Sequence, residues 1–254
     1  MRLLTREPRI VYDRLRTGAS IRYERLSNPR SVYEAVSWEN ALRELECYIG
    51  PVAEVADEPE LRDVEAQVQQ WLANADLNRA PFPIEFNADP CLARLCYIAC
   101  RLLKPTVVIE TGVAYGVTSA FILKALEKND RDGTLHSIDL PPLEGGSANQ
   151  FVGAAVPEYL RRRWVLHLGA SKRILPKLLK RIKKVDLFVH DSLHTYRNMR
   201  REFEMVLPYL GRGSMIIADD VGNNPAFKEL QQNMRFWLPI RGTEEIAPFG
   251  VALK

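Results

Sequence analysis

Cysteine is scarce and poorly spaced for chemistry. The four that occur, Cys47, Cys91, Cys96 and Cys100, form no C-x-x-C pair, so they read as small buried hydrophobes rather than as a zinc site or a disulfide framework. No stretch approaches about 18 uninterrupted apolar residues. The opening MRLLTREPRIVYDRLR has no hydrophobic signal core, which leaves a cytoplasmic protein as the expectation. A dominant sign of charge is also missing: 35 Lys+Arg against 32 Asp+Glu give a formal net charge of +3, weaker than the footprint nucleic acid usually requires. At 254 residues the chain can bury one sizeable core.

Against this background one stretch stands out, Thr106 to Leu126, TVVIETGVAYGVTSAFILKAL. A β-branched apolar run ends in Glu110 and meets Gly112 and Gly116 before helical spacing begins at Ala120, Phe121, Leu123 and Leu126. This predicts a buried parallel strand, a tight turn and a helix. The spacing E-x-G-x-x-x-G matches neither the dinucleotide fingerprint nor the triphosphate loop, and no lysine follows Gly116. A carboxylate at the strand end favours a ligand presenting an amine or a sulfonium. Two glycines alone fit equally well a structural turn with no ligand.

Further units follow in the same style. Helices are expected from Ser31 to Ile49, from about Asp57 with Pro59 in the first turn, and from Asp89-Pro90 to Leu103. Residues 1–30 show no clean period, and Arg79 to Asp89 reads as an irregular link. Strands are expected at Thr134–Ile138, Trp164–Leu168, Val185–Val189 and Met215–Ala218, with short extended runs near Phe236–Ile240 and Phe249–Leu253. Strands alternating with helices and closing in a hairpin-like tail predict an α/β fold. The expected form is a Rossmann-like doubly wound, mostly parallel sheet with an antiparallel edge strand, preceded by N-terminal helices. The first 85 residues form a helical extension that could cap the ligand cleft, form a homodimer contact or cover the sheet.

Ligands in such sheets bind beyond the carboxyl ends of the strands, where Glu110, Asp139, Ser171, Asp191, Asp219 and Asp220 fall. Asp139 suits the paired hydroxyls of a ribose. If the strands before Asp191 and Asp219 are neighbours, three carboxylates converge. At about 4 Å and an effective dielectric near 20, each pair repels by about 4 kcal/mol, so protons or a divalent cation must neutralise them. Oxygen ligands suit Mg²⁺, which would act as a Lewis acid on a substrate hydroxyl. His194 then stands where a neutral-pH base is needed, although a plain surface histidine is the alternative. His136 and His167 fall inside strands, and alternation points His190 away from Asp191.

VVIETGVAYGVTS, SIDL, LGASKRILPKL, VHDSLHTY and IADDV occur in the order expected of class I S-adenosylmethionine-dependent methyltransferases. From about Asp89 onward the chain resembles their metal-dependent small-molecule O-methyltransferases, both the catechol type and those acting on sugar hydroxyls of natural products. The resemblance implies a methyltransferase domain over 86–254. It implies cofactor contacts at Glu110, Gly112, Gly116, Thr118, Ser119, Asp139, Ser171 and Asp191, and cation ligands at Asp191, Asp219 and Asp220. A catechol-type enzyme has a lysine base where this chain has His194, so a catechol substrate is in doubt while O-methylation of a small-molecule hydroxyl, with vicinal oxygens on the cation, is retained. The basic helix over 172–184 suggests an RNA-modifying methyltransferase as one alternative. A non-catalytic protein retaining the fold is the other.

Overall fold

The computed structural model describes residues 8–27, 33–75, 82–83, 87–142, 148–243 and 247–254. Four helices lead into the sheet: α1 (Pro8–Ser27), α2 (Trp38–Ile49), α3 (Val52–Ala56) and α4 (Pro59–Asn74). They are followed by α5 (Pro90–Leu103), whose N-cap Asp89 accepts a hydrogen bond from the Cys91 N–H at 2.7 Å, which satisfies one of the free donors of a helix start. Then β1 (Val107–Thr111), α6 (Val117–Lys128), β2 (Thr134–Asp139), α7 (Ala148–Phe151), β3 (Trp164–Leu168), α8 (Ser171–Ile182), β4 (Val185–His190), α9 (Tyr196–Val206) and β5 (Leu210–Ala218) alternate. The short α10 (Ala226–Glu229) precedes the hairpin of β6 (Phe236–Ile240) and β7 (Phe249–Leu253).

The seven strands lie in the order β3-β2-β1-β4-β5-β7-β6. Strands β1 to β5 are parallel, and β7 runs antiparallel to both neighbours. The reversed strand therefore sits one place in from the edge, because the hairpin folds back and inserts β7 beside β5. The chain runs outward from β1 to β3 and then crosses back to β4, so the topological switch point lies between β1 and β4. Open sheets of this kind form their ligand crevice there.

Alternation along the strands divides the core between two faces. Val108, Leu135, Leu187, Val189 and Ile217 pack with α2, α3, α4, α5 and α6, whereas Ile109, Ile138, Phe188 and Ile216 pack with α8, α9 and α10. Helices α2 to α4 thus share one apolar cluster with the sheet. Cys91, Cys96 and Cys100 are buried in α5, and Cys47 is exposed and free. Burial pushes the Cys91 thiol up to about 12, consistent with packing rather than reactivity.

Several element boundaries differ from the sequence reading. Helix α2 starts at Trp38 rather than Ser31, because Ser37 caps it and Val36 forms a parallel bridge to Ile240 of β6. Residues 31–32, and most of the irregular link at 79–89, lie outside the described residues. The stretch 8–27, left unplaced by its pattern, is helical. Strand β5 begins at Leu210, whose pairing with Val185 precedes a register shift against β4 in a stretch that includes Gly213 at φ +86°. Residues 226–233 form only the short α10 followed by a 3₁₀ turn at Leu230–Asn233.

Candidate active site

The turn after β1 is shaped by close approach. Gly112 has φ +86°, and a Cβ there would lie 1.8 Å from the carbonyl oxygen of Asp191. Gly116 has φ +87°, and a Cβ there would meet Gly153 and Val156 at 2.8 Å. Both positions need glycine on conformational and steric grounds. Asp139, at the end of β2, accepts the backbone N–H groups of Val113 at 2.8 Å and Ala114 at 3.2 Å through Oδ2. Its Oδ1 is buried with no hydrogen-bond partner. Burial pushes this carboxyl up, and the two backbone donors pull it back. A buried acceptor left open beside a glycine turn fits a hydroxyl-bearing ligand such as a ribose.

Glu110 is fully buried behind that turn. It accepts hydroxyl protons from Thr118 at 2.6 Å, Ser119 at 2.5 Å and Ser137 at 2.6 Å. The Glu110, Thr118 and Ser119 side chains are therefore engaged with one another, fixing the start of α6 against β1 and β2.

The second group lies one strand across. The hydrogen-bond ladder continues past the strand ends: Asp191 N–H donates to Thr111 O and Asp219 N–H to His190 O, both at 2.8 Å. This seats Asp191 and Asp219 side by side at the tips of β4 and β5. One ligand atom from each of Asp191, His194 and Asp219 lies within 4.8 Å of the others. The side chains of Asp191 and Asp219 are 14% and 19% exposed, so neither is fully sealed from solvent. Burial and the charges of Asp219, Glu110 and Asp220 push the Asp191 carboxyl well above the usual range. Asp219 is also raised, first by burial. Crowded acids and a histidine at this spacing fit a divalent cation, which would relieve their repulsion.

Asp220 stands differently. It adopts a left-handed φ of +50°, and its Oδ2 lies 3.0 Å from His194 Nδ1. Burial alone would raise its carboxyl, but the hydrogen bond and charge of His194 leave it lowered. In turn burial would lower His194, and the Asp220 hydrogen bond with the charges of Asp219 and Asp220 leaves it raised.

Residues 109–221 match the family model described as a methyltransferase domain, a span that begins in β1 and closes just after Asp220. An O-methyltransferase from Bacillus cereus in complex with SAH is similar, at 14% identity and a TM-score of 0.55, over 85% of this chain and 98% of that one. The O-methyltransferase TomG from Streptomyces achromogenes, in complex with SAM, is similar at 18% identity and a TM-score of 0.54, over 87% and 99%. This chain has a class I methyltransferase fold. A third similar structure is CalS11, a TDP-rhamnose 3'-O-methyltransferase, at 18% identity and a TM-score of 0.50, over 78% and 95%. No curated protein matches at a significant level.

Within this methyltransferase fold, two features escaped the sequence reading. Glu202 of α9 is fully buried beneath the rim and joins several strand ends. It accepts a hydrogen bond from the Thr111 hydroxyl at 2.6 Å, meets His190 Nδ1 at 2.8 Å, and accepts from Ser171 Oγ, Ser192 Oγ and Asn198 Nδ2. The Ser171 side chain, expected toward a cofactor, is thus turned toward Glu202. His190 is buried and faces α9, as alternation required, while His136 and His167 sit 3.3 Å apart across β2 and β3.

The other feature is α1, which lies across the ends of β2 and β3. Arg14 Nε donates to Pro141 O at 2.9 Å, just past Asp139. Asp13, fully buried, faces Lys172 Nζ at 3.2 Å and the Arg173 guanidinium at the start of α8. Part of the basic face of α8 is therefore neutralised within the molecule. Among the described residues, no helix is long and apolar enough to cross a membrane.

Proposed function

We propose that this protein transfers the methyl group of S-adenosylmethionine to a hydroxyl of a small molecule. The observation that carries the reading is the pairing, across the switch point, of a glycine turn bearing an open buried acceptor at Asp139 with the Asp191, His194 and Asp219 cluster. The fold shared with O-methyltransferases supports it, as does the match of 109–221 to a methyltransferase domain.

When bound, S-adenosylmethionine supplies an electrophilic methyl group, and a divalent cation such as Mg²⁺ supplies Lewis acidity toward oxygen. Asp139 would hold the ribose, and the glycine turn would let the cofactor approach the backbone. Asp191, Asp219 and Asp220 would hold the cation by hard oxygen donors. His194 would take the hydroxyl proton at Nε2, with Asp220 accepting at Nδ1. A substrate with two adjacent oxygens best suits a site held by three carboxylates, which leaves coordination positions free.

The test is methyl transfer followed by mass spectrometry over a panel of vicinal diols, glycosides and catechols, with and without a chelator. A methyl ether should form on at least one panel member, and chelation should suppress it. Replacing His194 with Gln should lower turnover by about 10²- to 10⁴-fold, the usual contribution of a positioned base, and leave cofactor affinity near wild type. Methylation that is indifferent to both the chelator and His194 would contradict the reading.

A further inference from the structure

We infer that Arg14 of α1 is a second cofactor-binding residue, donating to a ribose hydroxyl whose proton Asp139 accepts in a hydrogen bond. The inference rests on the proposed S-adenosylmethionine reading. It adds to that site a residue from outside the 109–221 span that matches a methyltransferase domain.

Helix α1 is held over the tips of two neighbouring strands. Strands β2 and β3 pair in parallel up to Asp139 and Leu168. Past the first tip, Arg14 Nε donates to Pro141 O at 2.9 Å. Past the second, the Asp13 carboxylate faces Lys172 Nζ at 3.2 Å and the Arg173 guanidinium, both in the first turn of α8. Asp13 is fully buried, a state that a charged carboxylate keeps only where cations compensate it. The two anchors are consecutive residues, so together they fix both the position and the rotation of α1.

Arg14 and Asp139 form an incomplete pair. Burial pushes the Arg14 guanidinium down, and the charge of Asp139 pushes it back up. The two side chains are thus electrostatic neighbours, yet no hydrogen bond joins them. Asp139 uses Oδ2 for the Val113 and Ala114 N–H groups, and its Oδ1 is buried without a partner. Among the described residues, Arg14 bonds only through Nε, which leaves its terminal Nη groups unengaged. A buried acceptor left open calls for a third group. A hydroxyl both donates and accepts, so one ribose hydroxyl can donate to Asp139 Oδ1 while accepting from an Arg14 Nη–H. Neither the carboxylate nor the guanidinium alone satisfies both halves of that group.

Competition calorimetry on the full-length protein tests this. S-adenosylhomocysteine is titrated into the protein alone and in the presence of adenosine or of 2′,3′-dideoxyadenosine, which lacks the 2′ and 3′ hydroxyls. Wild-type protein should prefer adenosine by about tenfold or more, because its hydroxyls bond to charged groups. Arg14→Met keeps the apolar stem and removes the donors. It should weaken S-adenosylhomocysteine by about tenfold and shrink the preference for adenosine by a similar factor, with 2′,3′-dideoxyadenosine bound as in wild type. A helix that had merely loosened would weaken both nucleosides alike and leave the preference unchanged.

Amide exchange gives a readout that needs no variant. Saturating S-adenosylhomocysteine should slow exchange across residues 8–27 of the wild type by about tenfold. An undiminished preference for adenosine in folded Arg14→Met, or exchange in α1 that is indifferent to S-adenosylhomocysteine, would overturn the inference and leave the methyltransferase reading in place. Folded wild-type protein that binds no S-adenosylhomocysteine would overturn both.

Discussion

Asp139 accepts the Val113 N–H at 2.8 Å, so the acid closing β2 holds the glycine turn that follows β1 while its second oxygen stays buried and open. One side chain therefore both builds the turn and offers a ligand site.

Gly112 allows β4 to reach the turn. A Cβ at this position would lie 1.8 Å from Asp191 O in a backbone conformation that L-residues rarely adopt. Gly112→Ala should destabilise the fold by more than about 3 kcal/mol, combining left-handed strain with a clash against backbone that has no rotamer to change. Urea unfolding of the two proteins checks this. A loss below about 1 kcal/mol would mean that the tip of β4 is free to move.

The Glu202 hub predicts an acid-side stability profile. Burial alone would raise this carboxyl, but the charge and hydrogen bond of His190, with the hydroxyls of Ser171 and Thr111, hold it at about 2 against an ordinary 4.5. A depressed folded-state value means the stabilisation is present above about 4.5 and is lost as the pH falls toward 2. At about 1.4 kcal/mol per pH unit it is worth about 3 kcal/mol. Thermal midpoints of Glu202→Gln should lie below wild type at neutral pH, with the gap closing as pH falls through this window. A gap that stays constant across the window would contradict the assignment.

Helix α1 is tied to the cleft by charge. Removing the buried Asp13 carboxylate leaves Lys172 and Arg173 facing an empty site. Asp13→Ala should raise amide exchange across residues 8–27 by about tenfold or more, because breaking a buried ion pair by removing one partner is destabilising. Exchange in β1 and β4 should hardly change. Unchanged exchange in α1 would show that other contacts hold it.

Much of this architecture could be read from the chain because local rules and tertiary context agree. Strands β3, β6 and β7 match their expected bounds, since each is a short apolar or β-branched run between turn signals. The acids at strand tips were equally legible, because parallel neighbours bring Asp191 and Asp219 together through sheet register alone. Glu202 was not legible. In YRNMRREFEMV it reads as one charge among several on a solvated helix, and its burial depends on partners from Thr111 to Asn198. Helix α1 was missed because its apolar residues keep no clean period, and the contacts of Asp13 and Arg14 lie more than a hundred residues away. Asp220 reads like Asp219 in sequence, and its left-handed φ of +50°, with Oδ2 set 3.0 Å from His194 Nδ1, was not legible there.

The most direct test of the central claim is a calorimetric titration of S-adenosylmethionine into the wild-type protein and into Asp139→Ala, each shown to be folded. The account predicts one-to-one binding by the wild type, weakened by about 10- to 100-fold in the variant, the cost of losing hydrogen bonds to a charged group. Equal affinity in the two proteins would remove Asp139 from the site, and no binding by folded wild-type protein would contradict the methyltransferase reading itself.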